Sequence, residues 1–193
     1  MFEILFTYFE QNFALSEADK AFIRSVLLPK KMSKGEFLLR EGEIPQYAAF
    51  VCEGFLRSYV IDNKGKEHIV QFAPENWWIS DKGGVNDNSP ATIFIDAIED
   101  SQVLLIDRSG HVRLLENVPG YATSFQSGIQ KRNLAKDKRI VHSLTATAEE
   151  RYNDFIQTYP SIVQRVPQYM LASYLGITPE TLSRVRRKAM KKK

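Results

Sequence analysis

The sequence has a single cysteine, Cys52, and that scarcity excludes an internal disulfide, a multi-cysteine zinc site and an iron-sulfur cluster. Long apolar runs are lacking too. A stretch such as Val103-Leu104-Leu105-Ile106 falls far below the roughly 20 residues needed to span a bilayer. The first ten residues carry acids where an export signal needs a basic segment, and no small-residue cleavage site follows. These absences lead us to expect a cytoplasmic chain with no membrane contact. Histidine is scarce as well: His68, His111 and His142 sit in no recognisable ligand motif, and no metal site is expected. Internal repeats and low-complexity linkers are absent.

What is present is an ordinary apolar content, 44% of 193 residues, enough to bury the core of one large domain or two small ones. Disordered and fibrous classes are thereby excluded. The formal net charge of +3 conceals an asymmetry. Residues 166–193 carry seven Lys/Arg against one acid, a balance of +6, which leaves −3 on the rest. A basic end on an acidic body suits contact with a polyanion, although a solvated, fraying terminus would look the same.

Residues 2 to about 28 read as helical, with Ile4, Leu5, Tyr8 and Phe9 on one face and a helix start at Ser16-Glu17-Ala18-Asp19. Pro29 closes this stretch. From about Lys31 to Asp107 short strand-like runs alternate with Gly and Pro turns, the pattern of a sandwich, barrel or jelly roll. Leu56–Ile61 and Glu67–Phe72 flank Asp62-Asn63-Lys64-Gly65-Lys66 as a hairpin, with Gly65 supplying the positive φ. After Asp107 the chain turns helical again. A long helix from Pro119 to about Leu144 bears a thin apolar seam, suited to dimerisation or to packing on its own subunit. Thr147-Ala148-Glu149-Glu150 is a capping-box pattern whose helix must end near Tyr159, before Pro160.

The most informative segment is 168–187. Leu171, Leu175, Ile177, Leu182 and Val185 fall where two short packed helices need apolar residues, and Ala172 is small where the helices cross. Gly176 can end the first helix in the left-handed conformation, Thr178 can cap the second, and Pro179 fits its first position. This describes a helix-turn-helix. With Leu182, Val185 and Ala189 inward, Glu180, Thr181, Ser183, Arg184 and Arg187 face outward. Arg pairs bidentately with guanine and Glu accepts from cytosine, so Arg184 and Glu180 are the expected base contacts in a recognition helix over 179–190. Thr178, Thr181, Arg187, Lys188, Lys191, Lys192 and Lys193 are the expected backbone contacts. Glu180 could instead favour the helix N-terminus, Arg184 could pair with Glu180 at i,i+4, and the lysines could simply solubilise the chain.

The segment from Val166 to Arg184 resembles the helix-turn-helix of the Crp/Fnr regulators. Lys34–Gly42, Phe50–Gly54, the Asp62–Phe72 hairpin, Ala97–Ser101 and Val103–Ile106 resemble the β-roll of that family's cyclic-nucleotide-binding domain. The resemblance implies an α+β chain: a double-stranded β-helix (jelly-roll) sensor with N-terminal helices over 1–118, a dimerisation helix over 119–145, and an all-α helix-turn-helix domain over 146–193. With so few residues after the recognition helix in this sequence, a distal wing is not expected. The resemblance also implies a homodimer on two-fold-related double-stranded DNA, RNA polymerase as a further partner, and an effector in the roll.

Two departures bear on that effector. By register, Ile79 and Ser80 replace the family's Gly-Glu pair, and Ser89 and Pro90 replace its Arg-Ser pair. Without the arginine a buried cyclic phosphate has no fixed counter-charge. Cyclic AMP is therefore not the expected ligand, and the effector stays open, as does haem. Trp77, Trp78, Ser80 and Ser89 are the candidate pocket residues, the tryptophans serving to stack on a flat ligand or to fill the roll. The expected function is effector-controlled, sequence-specific transcription regulation. The alternative is a small-molecule-binding module acting through protein partners. An enzyme on the same roll would need a His-rich metal set, and the β region supplies only His68.

Overall fold

A computed structural model describes residues 1–81 and 89–190, with the backbone alone at Lys131 and Met190. The described residues divide into two compact units. One comprises Met1–Val60 and Gln71–Gly128; the other comprises Ile61–Val70 and the chain from Ile129 onward.

The first unit opens with helices α1 (Phe2–Glu10) and α2 (Glu17–Val26). The expected helix start at Ser16 is a full capping box: the Ser16 hydroxyl accepts from the Asp19 N–H, and the Asp19 carboxylate accepts from the Ser16 N–H. Eight strands follow among the described residues: β1 (Leu28–Met32), β2 (Phe37–Leu39), β3 (Tyr47–Glu53), β4 (Leu56–Ile61), β5 (Glu67–Ala73), β6 (Trp78–Ile79), β7 (Phe94–Ala97) and β8 (Ser101–Asp107). They form two four-stranded sheets, ordered β1-β8-β3-β6 and β2-β7-β4-β5. The β region thus begins at Leu28, a little earlier than the sequence suggests. Pro29 lies within β1, the end strand of its sheet, where a missing N–H is tolerated.

The first sheet is covered on both faces. Ala49 and Val51 of β3, with Val103 and Leu105 of β8, join Met32, Leu56, Ile79 and Ile95 in the core between the sheets. Phe50 and Cys52, with Leu104 and Ile106, point the opposite way into a second core built with Leu5, Phe6, Phe9 and Ile23 of α1 and α2. The second core also takes Leu114 of α3 (Arg108–Asn117) and Tyr121 at the start of α4 (Tyr121–Thr145). Double-sided burial explains the unbroken apolar runs of β3 and β8. The long helix starts two residues after Pro119, across a turn at Gly120. One polar pair is deeply buried: Arg57 clamps Asp96 on the neighbouring strand with two hydrogen bonds of 2.7 and 3.0 Å, each residue 6% exposed.

The second unit holds the rest of α4, then α5 (Ala148–Thr158), α6 (Gln168–Leu175) and α7 (Pro179–Met190), together with the tip of the β4–β5 hairpin. Gly65 takes φ +76° in that tip. The Asp62 carboxylate accepts from the Lys64 and Lys66 N–H groups at 2.9 and 3.0 Å and lies 2.8 Å from His68 Nε2. The second capping box forms at Thr147 and Glu150, and α5 stops at Tyr159, as Pro160 requires.

Candidate nucleic-acid interface

Three features of the sequence position α7 within its unit. The α6 helix ends at Gly176 in the left-handed conformation (φ 66°, ψ 37°). The Ile177 N–H donates to the Ala172 carbonyl and the Gly176 N–H to that of Ser173, at 3.0 and 3.1 Å, the paired bonds that close a helix C-terminus. Two residues on, the Thr178 hydroxyl accepts from the Thr181 N–H at 3.2 Å and caps α7, whose first residue is Pro179. Between the helices, Leu171, Ala172, Leu175, Leu182 and Val185 are buried together with Met170, Tyr152, Phe155, Ile162 and Val166. Ile177 is only half-buried. Met170 belongs to this core although helical spacing did not single it out.

Burial of Leu182 and Val185 fixes the rotation of α7 about its axis. Glu180, Ser183, Arg184, Arg187 and Lys188 are exposed as a result, with Thr178 beside them; Thr181 is half-buried under its cap contact. Among the described residues Arg184 makes no ion pair with Glu180, and its side chain is exposed to an external acceptor. The Glu180 carboxyl is held below the ordinary carboxylate range by its own backbone N–H and by the Thr178 hydroxyl, and it is an acceptor throughout the neutral range. Lys191, Lys192 and Lys193 lie outside the described residues.

Two contacts invisible to sequence reading tie α6 into its unit. The Ser173 hydroxyl donates to the Glu67 carbonyl and accepts from the Ile69 N–H, both at 3.0 Å. Arg151 of α5 donates to the Leu175 carbonyl at 2.7 Å, satisfying one of the carbonyls that a helix end leaves open. Both join residues far apart in the chain, and no local pattern announces them.

The candidate effector residues separate in the first unit. Trp77 packs, partly buried, against the core between the sheets. Trp78 alternates to the other face and lies on Phe50, ring centroids 5.2 Å apart, in the core beneath α1 and α2. Ile79 is 1% exposed and fills the space between the sheets. Ser80 and Ser89 are half-buried and Pro90 is exposed. Asp81, one residue beyond Ser80, accepts from the Thr92 N–H at 3.1 Å and joins the two stretches. Among the described residues no group of His, Cys, Asp and Glu could hold a metal ion, and no helix is long and apolar enough to cross a membrane.

Residues 29–118 match the family model of the cyclic nucleotide-binding domain. Solved structures with the same fold include FixK2 from Bradyrhizobium japonicum, with a TM-score of 0.75 and 21% identity over 86% of each chain. The c-di-GMP responsive global regulator CLP of Xanthomonas campestris has a TM-score of 0.73 and 11% identity, covering 92% of this chain and 93% of its own. A putative transcriptional regulator of the Crp/Fnr family from Eubacterium rectale has a TM-score of 0.68 and 17% identity, covering 92% of this chain and 85% of its own. At these identities the likeness is one of fold. No curated protein matches the chain at a significant level.

Proposed function

The chain carries a cyclic nucleotide-binding domain and has the fold of the Crp/Fnr regulators, and from that premise we propose that it is a sequence-specific DNA-binding transcription regulator. The observation that carries the proposal is the outward face of α7. A capped and hinged helix buries Leu182 and Val185 and leaves Glu180, Ser183, Arg184 and Arg187 exposed. In a helix-turn-helix this is the face laid in the major groove, its first residues on base edges. Arg184 reads guanine and Glu180 reads cytosine. Thr178, Thr181, Arg187, Lys188 and the Lys191–Lys193 tail hold phosphates.

The regulator acts as a homodimer on a two-fold-related operator. Support comes from α4, where Leu134 (72% exposed), Val141 (54%) and Leu144 (80%) stand seven and three residues apart, the spacing of a coiled-coil seam. Control resides in the roll, near Trp77, Ser80 and Ser89, with Trp78 assigned to packing. The apolar filling at Ile79 and the missing arginine disfavour a buried cyclic phosphate, so the effector is not cyclic AMP. RNA polymerase is the downstream partner, and the chain has no catalytic role.

Selection from random duplexes with the purified protein is the direct test. The expected result is enrichment of a two-fold-related sequence whose complex weakens steeply with salt. Equal retention of all duplexes at moderate salt would reject specific regulation. It would favour instead a ligand-binding module that acts through protein partners.

A further inference from the structure

A cavity of about 320 Å³ lies inside the second unit, walled by the hairpin tip, the end of α4, α5 and the end of α6. Lys138 and Arg139 of α4 and Arg151 of α5 line it, and the only carboxylate among the lining residues is that of Asp154. That carboxylate is taken by Lys138, with His142 Nδ1 at 3.8 Å. Among the described residues neither guanidinium group has a carboxylate partner. Arg139 donates to the Val70 and Ile69 carbonyls at 2.6 and 3.3 Å and lies 4.3 Å from the Tyr174 ring centroid. Arg151 spends one N–H on the Leu175 carbonyl, and its Nε is buried with no hydrogen-bond partner.

A guanidinium carries five N–H donors, so both arginines keep donors in reserve beside the cavity. Carbonyl dipoles orient a cation but do not neutralise it. Two partly buried guanidinium charges beside an acid already held by Lys138 are an arrangement that an incoming anion completes. Burial pushes the Tyr159 hydroxyl up to about 12, so this wall adds a neutral hydroxyl rather than a negative charge. The volume exceeds what an inorganic ion needs and reaches the lower range of small-molecule pockets, and planar guanidinium groups match phosphate geometry.

We propose that this cavity is a binding site for a small phosphorylated metabolite, held by Arg139 and Arg151 within the DNA-binding unit and separate from the roll. Its floor includes Leu175 and Gly176, the hinge that sets α7. Occupancy engages the arginine that otherwise holds the hinge carbonyl, and thereby alters how firmly α7 is presented. The site assignment stands whether or not the proposed operator recognition holds, because binding is read without DNA.

The test is isothermal titration of the full-length protein with pyrophosphate, at ionic strength held constant with chloride. The expected result is saturable binding, weakened about tenfold or more in Arg139→Gln, as loss of a charge-assisted phosphate contact implies. Arg151→Gln removes a helix-end contact and can unfold the unit, so Asp154→Asn provides the second arm: loss of the competing carboxylate tightens pyrophosphate binding. Absence of saturation in the wild type, or affinity unmoved by both Arg139→Gln and Asp154→Asn, overturns the proposal. If pyrophosphate does not bind while Arg139→Gln weakens duplex binding uniformly, the arginine holds DNA backbone phosphate and the metabolite site is likewise rejected.

Discussion

Single residues carry sharply different loads in this fold. Arg184 is exposed, so Arg184→Ala leaves folding intact. It should relax base choice at one operator position by about 1–3 kcal/mol, which competition between matched and mismatched duplexes measures. Gly54 is the opposite case. Its φ is +92°, and a Cβ there would stand 2.3 Å from Ser101 Oγ and 2.5 Å from the Asp100 carbonyl, while Ser101 Oγ also accepts from the Phe55 N–H. Gly54→Ala therefore costs about 2–5 kcal/mol in a urea melt, through backbone strain and a clash that backbone atoms cannot evade. Asp62 is half-buried, and its carboxyl is held down to about 2, chiefly by His68 and then by the Lys66 and Lys64 N–H groups. A lowered folded value favours the ionised carboxylate, so this support for the hairpin tip is complete above the ordinary carboxylate range and is lost as pH falls towards 2. Protection of the Lys64 and Lys66 amides, taken relative to their intrinsic exchange rates, should fall across that window, and Asp62→Asn should be less protected above it and converge with the wild type below it.

At the level of elements, the helices were legible in the sequence and the sheets only in outline. Caps and hinges are local: Ser16 with Asp19, Thr147 with Glu150, and Gly176 followed by Thr178 and Pro179 each announce a helix boundary within a few residues. Strand facing is not local. Both faces of the sheet containing β3 are buried, so Phe50 and Val51 are equally apolar while pointing into different cores, and alternation carries no polarity signal. The same loss of contrast left Trp77 and Trp78 indistinguishable until the fold separated them. The helix α3 was foreseen only as part of a helical stretch. Thr178→Ala tests the cap directly: α7 should lose about 0.5–2 kcal/mol, visible as a lower melting temperature with the salt dependence of DNA binding unchanged. For α4, Leu134→Asp combined with Leu144→Asp should convert a dimer to monomers in sedimentation velocity. A dimer that survives both changes would place the subunit interface elsewhere.

For the molecule as a whole, positive charge is concentrated in residues 166–193, and the proposed base contacts lie on one short helix. Affinity and selectivity should therefore separate experimentally. Lys188→Ala should weaken binding to every duplex alike and reduce the slope of log K against log salt by about 1, the reverse of the pattern for Arg184→Ala. The candidate ligand sites were the least legible part of the molecule. Arg139, Arg151 and His68 converge on one cavity from three separate stretches of chain, and a residue pattern read along the sequence cannot report convergence in space.

The hairpin gives the boundary between the two units an unusual form. The chain passes from one unit to the other after Val60, back after Val70, and out again after Gly128. A single cut near residue 128 therefore does not release the second unit intact: it strips away the strand tip whose Glu67 and Ile69 backbone groups hold Ser173 and whose Ile69 and Val70 carbonyls receive Arg139. Truncation and domain-swap chimeras that treat the helix-turn-helix as a detachable module should melt less cooperatively than the full chain. The two units are interleaved along the chain, so no single cut separates them.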